Sequence, residues 1–327
     1  MKRVILTGSC GADLMRSGLA EVVIPFMFRL VDGPLPLDEL AVYVAARSGT
    51  VKPGRHWSDY IGRRTQSVKE REHLSLVAFC QPYDVIELWF DRDPNDQLQL
   101  IWLLDYLRSH PEIAAKTELR LIAFDLLTKD AKSIAKSLPH IPAIGVTAAE
   151  LGTASIAWQA YTAPTPEACI ELVHSDLSAL LMLRPALIDL LAEIPSVSTG
   201  LGETEVRFLE LIGRGYQGTN ALFHLRSVRR TRVFREWELG WLLHGLAFGP
   251  RPAVVGLDDE LRTIPKEDLG ARHAAYLRSR LSLTEFGKEL LAAREDFSRH
   301  NPIDRWWGGT HLTNERLWRY GAGLTKP

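Results

Sequence analysis

Residues 88–100, LWFDRDPNDQLQL, join two apolar segments that differ in their periodicity. The segment that ends at Phe90 is apolar nearly throughout, as expected for a strand buried on both faces of a sheet. Beyond Pro94, apolar residues recur three and four positions apart, which predicts a helix over 96–108. The stretch is therefore a turn from a buried strand into a helix.

The same order of strand and helix occurs through the first 146 residues. Strands are predicted over 3–7, 21–28, 85–90 and 119–124, and helices over 36–47 and 57–79. Alternating strands and helices indicate an α/β domain, residues 1–146, with a mainly parallel sheet. Ligands of such open sheets bind at the carboxyl edge of the strands, so this edge is where we expect a site.

The strands stop beyond residue 146, and three further parts are predicted. Residues 147–198 form a helical connector of three helices broken by prolines. Residues 199–300 have the order of helices and short strands of a winged-helix-like domain, and residues 301–327 form a C-terminal docking tail.

The composition excludes several classes of protein. With 327 residues, 46% of them hydrophobic, the chain is long enough for two packed domains. A formal net charge of −1 disfavours binding of nucleic acid over the whole surface. Three widely spaced cysteines favour a reducing compartment without disulfides. No signal peptide and no apolar stretch of about 20 residues is found, so we expect a soluble, cytoplasmic protein without a membrane partner.

Two explanations stay open for the polar residues of the opening stretch. Asp93 precedes Pro94 and suits the N-cap, where its carboxylate would accept hydrogen bonds from backbone N–H groups. Asp96 lies in the first turn, where the helix dipole favours a negative charge. Capping does not account for Gln97, so we also consider that Asp91, Asp93 and Gln97 line a ligand site.

Polar residues follow the other predicted strands as well. Five polar residues lie at or just after the end of a predicted strand: Ser9, Asp32, Asp91, Asp93 and Asp125. An acidic edge repels a bare phosphate unless a metal or a nearby arginine compensates. The set therefore favours a phosphate bridged by Mg²⁺ on Asp91 and Asp93, or a cationic small molecule; a solvated edge without a ligand is the alternative. The Gly8–Gly11 turn matches neither the dinucleotide fingerprint nor the P-loop.

The segment IDRWWGGTHL, residues 303–312, concentrates aromatic and charged groups. One interpretation is that this segment folds back, with Trp306 or Trp307 buried and the two glycines forming the bend. The other is a site wall, in which Trp306 stacks on a base, Arg305 binds phosphate or carboxylate, and His311 acts as an acid or base. The two interpretations are compatible.

An arginine-rich segment provides the strongest nucleic-acid signal in the chain: Arg226, Arg229, Arg230, Arg232 and Arg235. It lies beside the predicted winged-helix-like domain. The alternative is a solvated basic face, which is the ordinary behaviour of a charge run.

Several of these motifs resemble those of an uncharacterised bacterial family, domain of unknown function 1835, followed by its companion, domain of unknown function 3658. The resemblance is carried by G-S at 8–9, D-G-P at 32–34, LWF-x-x-D-x-x-DQLQL at 88–100, GL-x-x-TE at 200–205, LT-x-x-G at 283–287 and DRW-x-GG-x-HL at 304–312. Ser9 and Cys10 replace the aspartate that many members carry after the first glycine. The resemblance covers most of the chain and supplies no function.

Three hypotheses follow. The first is a protein that binds, and would process if it is an enzyme, a phosphorylated or nucleotide-like small molecule at the carboxyl edge of the sheet. Its ligand-binding residues would be Ser9, Asp32, Asp91, Asp93, Gln97, Arg305, Trp306 and His311. The second is a nucleic-acid-binding regulator that acts through the arginine-rich segment, and the third is a protein-interaction scaffold. The reaction and the oligomeric state are left open.

Overall fold

The computed structural model describes residues 2–8, 11, 14–15, 17–62, 65–122, 124, 126, 130–137, 140–224 and 233–327. The chain divides into two compact units, Met1–Leu30 with Pro34–Leu187, and Val31–Gly33 with Ile188–Pro327. Within the described ranges, no helix is both long and apolar enough to cross a membrane. The four-part division of the chain remains a prediction.

The first unit is built on a five-stranded sheet in the order β2-β1-β3-β4-β5. Its strands are β1 (Arg3–Gly8), β2 (Val22–Phe26), β3 (Val85–Trp89), β4 (Thr117–Arg120) and β5 (Ala143–Gly145). Neighbouring strands are parallel from β2 to β4, and β5 is antiparallel to β4. The prediction of an α/β fold with a mainly parallel sheet is confirmed, and Pro25 lies on an edge strand, where its missing N–H is tolerated.

The register aligns the carboxyl ends of three strands. Thr7 of β1 pairs with Pro25 of β2 and with Trp89 of β3. The residues that follow β1, β2 and β3 therefore leave the sheet at the same edge, as the sequence pattern predicted.

The helices of the first unit are mostly short: α1 (Leu37–Val44), α2 (Gln66–Lys69), α3 (Leu76–Cys80), α4 (Pro94–Leu107), α5 (Pro111–Ala114), α6 (Ala131–Ser137), α7 (Ala148–Thr162) and α8 (Glu167–His174). α4 packs against β1 and α7, and every residue from Pro94 to Leu104 is buried. Because α4 is covered on nearly all sides, its polar residues must find partners within the protein.

The single long helix predicted over 57–79 is wrong. The described residues of this segment form a 3₁₀ helix, Trp57–Tyr60, followed by α2 and α3. Each begins at a new cap: the hydroxyl of Thr65 accepts from the N–H of Val68, and that of Ser75 accepts from the N–H of Ala78. Hydroxyl side chains that cap a new helix interrupt the previous one, which the apolar periodicity alone did not reveal.

The second unit combines helices with three antiparallel strand pairs. The chain enters it within α9 (Leu183–Ala192). Its other helices are α10 (Glu203–Gly213), α11 (Thr219–His224), α12 (Glu236–Phe248), α13 (Leu269–Arg278) and α14 (Glu285–Leu291). Its strands are β6 (Val254–Val255), β7 (Ser282–Leu283), β8 (Asp304–Trp307), β9 (Thr310–Thr313), β10 (Arg319–Tyr320) and β11 (Leu324–Thr325). The winged-helix arrangement remains a prediction.

The segment 304–313 is a β-hairpin of β8 and β9, in which Trp306 pairs with His311. Gly308 and Gly309 form the two-residue turn, and Gly308 has a φ of 54°, a conformation that glycine adopts without strain. Trp307 is buried, and its Nε1–H donates a hydrogen bond of 2.6 Å to the carbonyl of Leu190. The predicted bend and the burial of a tryptophan are therefore both present in the second unit.

Candidate functional site

The junction between β3 and α4, residues 91–99, is the first candidate site. Asp93 caps α4 as predicted: its Oδ1 accepts hydrogen bonds from the N–H groups of Asn95 (2.9 Å) and Asp96 (3.4 Å). Pro94 occupies the first turn, where no N–H is needed. The prediction that Asp93 is the N-cap of α4 is therefore confirmed.

Asp91 serves the backbone of two loops. Its side chain is buried, its Oδ1 accepts from the N–H of Asp93 (2.8 Å) and its Oδ2 accepts from the N–H of Leu126 (2.9 Å). The carboxylate thus joins the turn after β3 to the segment that follows β4. A buried carboxylate that accepts a backbone N–H on each oxygen has these acceptors satisfied within the protein.

Two amide side chains of α4 bind the segment at the end of β2, and a third binds the turn after β3. Asn95 Oδ1 accepts from the N–H of Leu30 (2.7 Å), and Gln99 Nε2 donates to the carbonyl of Phe28 (2.6 Å). Gln97 Nε2 donates to the carbonyl of Asp91 (2.5 Å). Within the described part of the chain, the buried Oε1 atoms of Gln97 and Gln99 have no hydrogen-bond partner. These two amide oxygens are buried polar atoms that the cap of α4 does not explain.

The glycines of the first turn are required by close packing. A Cβ on Gly8 would lie 2.2 Å from the carboxylate of Asp96, and one on Gly11 would lie 1.9 Å from Oγ1 of Thr7. These contacts account for both glycines without a bound phosphate. Ser9 and Asp125 lie outside the described residues.

The junction does not fit Mg²⁺ well. Both oxygens of Asp91 already face N–H donors, which a cation would have to displace. Across the described ranges, no group of three or more His, Cys, Asp or Glu side chains is arranged to hold a metal ion.

A cavity of about 830 Å³ in the second unit is the other candidate, and we call it the tryptophan cavity. Its aromatic lining residues are Phe234, Trp237, Trp241, Phe248, Phe297, Trp306 and Trp307. Its titratable lining residues are Asp32, Glu193, Glu205, His244, Lys266, Glu267, Asp304 and Arg305. This volume, with mostly apolar walls and a few polar groups, is typical of small-molecule sites.

A buried ion pair forms one part of the cavity wall. The two terminal nitrogens of Arg305 donate to the two oxygens of Glu205, at 2.9 and 3.2 Å. Glu205 Oε2 also accepts from the N–H of Gly202, so the same carboxylate supports the start of α10. The guanidinium has five N–H groups, and among the described residues Arg305 donates only to Glu205. Because Arg305 lines the cavity, its other N–H groups are candidate donors to a ligand.

Glu193 is a buried carboxyl group beside this pair. Its two oxygens accept hydrogen bonds from the hydroxyl (2.5 Å) and the N–H (3.2 Å) of Thr204. Since the N-cap residue Gly202 has no side chain, Glu193 caps α10 instead. The pKa of Glu193 is raised to about 8, mainly by burial and in addition by the charge of Glu205, although the bonds from Thr204 and the charge of Arg305 act to lower it. At neutral pH the group is mainly a neutral carboxyl, which can donate as well as accept a hydrogen bond.

The cations near α12 surround two aromatic rings of the cavity. Arg272 and Lys266 lie over Trp241, at 4.1 and 4.9 Å from the ring centre, and Arg262 lies 4.0 Å over Phe248. The pKa of His244 is lowered by burial and then by Arg272, Arg262 and Lys266. This part of the wall therefore carries a positive potential.

His311 lies on the hairpin. Its ring stacks on Trp306, with centres 4.5 Å apart, and its Nε2 lies 2.7 Å from Oδ1 of Asp304. Trp306 and Asp304 line the cavity, whereas His311 supports them. The role of an acid or base remains a prediction for His311.

The structure separates the predicted ligand-binding residues into two groups. Asp91, Asp93 and Gln97 share the β3–α4 junction, and Asp32, Arg305 and Trp306 line the tryptophan cavity. Sequence reasoning missed Glu193, Trp237, Trp241 and Lys266. One signal was present, because Trp237, Trp241, His244 and Phe248 repeat at helical spacing along one face of α12.

Four of the five arginines of the nucleic-acid hypothesis, Arg226, Arg229, Arg230 and Arg232, lie outside the described residues. The fifth, Arg235, precedes α12, and its N–H donates to Oε2 of Glu238 at 2.7 Å. That contact concerns its backbone and does not bear on nucleic acid.

The sequence was compared with known protein families and with curated proteins. No family model matches the sequence, and a search of curated proteins finds no match.

Proposed function

We propose that the protein binds a small molecule with a flat, polar ring, such as a nucleotide-like metabolite, in the tryptophan cavity. The observation that carries this proposal is the combination of about 830 Å³ of space with tryptophan walls and the Arg305–Glu205 pair. Indole rings stack on flat heterocycles, and the charged pair and Glu193 offer donors and acceptors to the ring edge. We assign binding and no reaction.

The β3–α4 junction supports the same function less well. Asp91 and Asp93 bind backbone N–H groups, and the buried side-chain oxygens of Gln97 and Gln99 have no hydrogen-bond partner among the described residues. We therefore place the ligand in the second unit and keep the carboxyl edge as the alternative location.

The family resemblance is also kept as a proposal. Two of its motifs meet in the second unit, because Glu205 belongs to GL-x-x-TE and Arg305 to DRW-x-GG-x-HL. The alternative function, binding of nucleic acid, predicts salt-sensitive affinity for duplex DNA that falls when Arg229 and Arg230 are replaced by alanine.

A ligand screen tests the proposed function. Nucleosides, nucleotides, sugar phosphates and amino acids are added to the full chain, and the melting temperature and tryptophan fluorescence are followed. A ligand at a hundred times its dissociation constant stabilises the fold by about 2.7 kcal/mol. We expect a ring compound to bind to the wild type and to lose affinity in Trp237→Ala.

Tyr216→Ala is the matched control, since Tyr216 is an exposed ring of the same unit that is not among the lining residues. Loss of binding in Asp93→Ala with no change in Trp237→Ala would move the site to the carboxyl edge. A screen without any ring compound among its hits contradicts the proposal.

A further inference from the structure

The Arg272 side chain is a buried cation without a carboxylate partner in the described region. It is only 4% exposed, and it donates to the carbonyls of Leu261 (3.3 Å) and Ile264 (3.1 Å) and to the hydroxyl of Tyr276 (3.1 Å). These acceptors are neutral, so they satisfy its N–H groups without cancelling its charge. A charge removed from water keeps a strong field at its neighbours.

That field reaches the tryptophan cavity through Trp241. Arg272 lies 4.1 Å over this ring, and Lys266 adds a second cation at 4.9 Å. Trp241, His244 and Lys266 all line the cavity, and we call these three residues the basic wall. Burial, and then the charges of Arg272, Arg262 and Lys266, lower the pKa of His244, so its imidazole is neutral at neutral pH.

The acids that line the cavity do not cancel the basic wall. Glu205 is paired with Arg305, and Asp304 contacts His311. Asp32 and Glu267 are exposed, as Lys266 is, so water and salt screen all three charges and leave the buried charge of Arg272 the least screened. Glu193 contacts Thr204 and lies close enough to Arg305 for that cation to lower its pKa. Lys266 and Arg272, the two cations over Trp241, have no carboxylate partner among the described residues, whereas Arg262, the cation over Phe248, is paired with Asp259 at 3.3 Å.

We propose that the basic wall holds a negatively charged group of the ligand, such as a phosphate monoester, through Lys266, His244 and the field of Arg272. The inference rests on the proposed function and narrows it to ring compounds that carry an anionic group. Because the faces of Trp241 and Phe248 already carry cations, a cationic ligand would meet repulsion at this wall.

The test compares each nucleoside with its own 5′-monophosphate on the full chain, by equilibrium dialysis at fixed salt. We expect the monophosphate that fits to bind at least about tenfold more tightly than its nucleoside. Lys266→Gln should weaken binding of the monophosphate about tenfold and weaken that of the nucleoside much less. Lys266 is exposed, so its replacement should not unfold the chain.

Lys326→Gln is the matched control, because Lys326 lies 5.9 Å over Trp318, another lysine–tryptophan pair that does not line the cavity. If nucleoside and monophosphate bind with equal affinity, the basic wall does not bind an anionic group, and the proposed function still stands. The same conclusion follows if Lys266→Gln weakens the binding of both compounds equally.

If no ring compound binds, the proposed function fails. Inorganic phosphate and pyrophosphate then test separately whether the basic wall binds an anion. Quenching of tryptophan fluorescence that Lys266→Gln removes and Lys326→Gln retains would uphold the anion site by itself. Absence of any anion effect in the wild type would overturn it.

Discussion

The β3–α4 junction and the tryptophan cavity both concentrate polar side chains among apolar ones, and they use them differently. At the junction, Asp91, Asn95 and Gln99 bind the backbone of neighbouring loops at 2.6–2.9 Å. At the cavity, Arg305 and Lys266 line open space, and the hydrogen bonds of Arg305 among the described residues go to Glu205 alone. Polar side chains within an apolar stretch of sequence therefore indicate groups that need hydrogen-bond partners, and these partners are either the backbone of loops or a ligand.

The Arg305–Glu205 pair gives the largest expected effect. Arg305→Leu leaves the carboxylate of Glu205, which is 3% exposed, without its cation. Removal of one partner of a buried pair costs about 3–5 kcal/mol, so we expect a loss of that size in urea unfolding. The double variant Arg305→Leu with Glu205→Gln should recover a large part of it. A loss below about 1 kcal/mol would mean that the pair is solvated like a surface salt bridge.

Asp91→Ala comes next and tests whether the junction is structural. It leaves the N–H groups of Asp93 and Leu126 without their acceptor, at a cost of about 1–3 kcal/mol. Asp93→Ala, which removes only a helix cap, should cost about 1 kcal/mol by the same urea measurement. Ligand affinity should not change in Asp91→Ala; a stable variant that loses the ligand would instead make Asp91 part of the site.

Glu193 gives the cavity a pH dependence of stability. Its pKa in the folded chain is about 8, above the usual 4.5, so the folded state binds the proton more tightly than the unfolded state does. This stabilisation is complete below about pH 4.5 and is lost as the pH rises towards 8, with a slope of at most about 1.4 kcal/mol per pH unit. The difference in unfolding free energy between wild type and Glu193→Gln, measured from pH 5 to 8, should show this fall. A flat difference contradicts the raised pKa.

The smallest expected change in stability belongs to a cavity residue. Trp237 is 41% exposed, so Trp237→Ala should cost less than about 1 kcal/mol, whereas a buried tryptophan costs about 3–5 kcal/mol. Thermal unfolding measures the difference. A large loss would show that Trp237 supports the fold and would weaken its use as a test of binding.

Local chemistry explains what could be predicted from the sequence. The parallel strands, the cap at Asp93 and the bend at Gly308 follow from apolar runs, a carboxylate before Pro94 and a glycine pair, each within a few residues. The break of the 57–79 segment followed from hydroxyl caps whose strength the apolar pattern does not reveal.

The candidate site could be predicted only in part, because its partners are distant in sequence. Arg305 was singled out, but nothing near it in the chain indicates that Glu205 is its partner. Likewise, the sequence shows no partner for Asp91, because its carboxylate accepts a hydrogen bond from the N–H of Leu126, which is 35 residues away. Which polar group binds a loop and which faces a cavity depends on long-range packing.

The hairpin of β8 and β9 has a consequence for synthesis on the ribosome. Arg305 follows Glu205 by 100 residues, and Trp307 follows the carbonyl of Leu190 by 117. At about 5–20 residues per second, the carboxylate of Glu205 is made about 5–20 s before its cation. During that interval α10 can form, but its buried acid has no counter-charge, so the nascent second unit must keep that face open to water until the hairpin arrives.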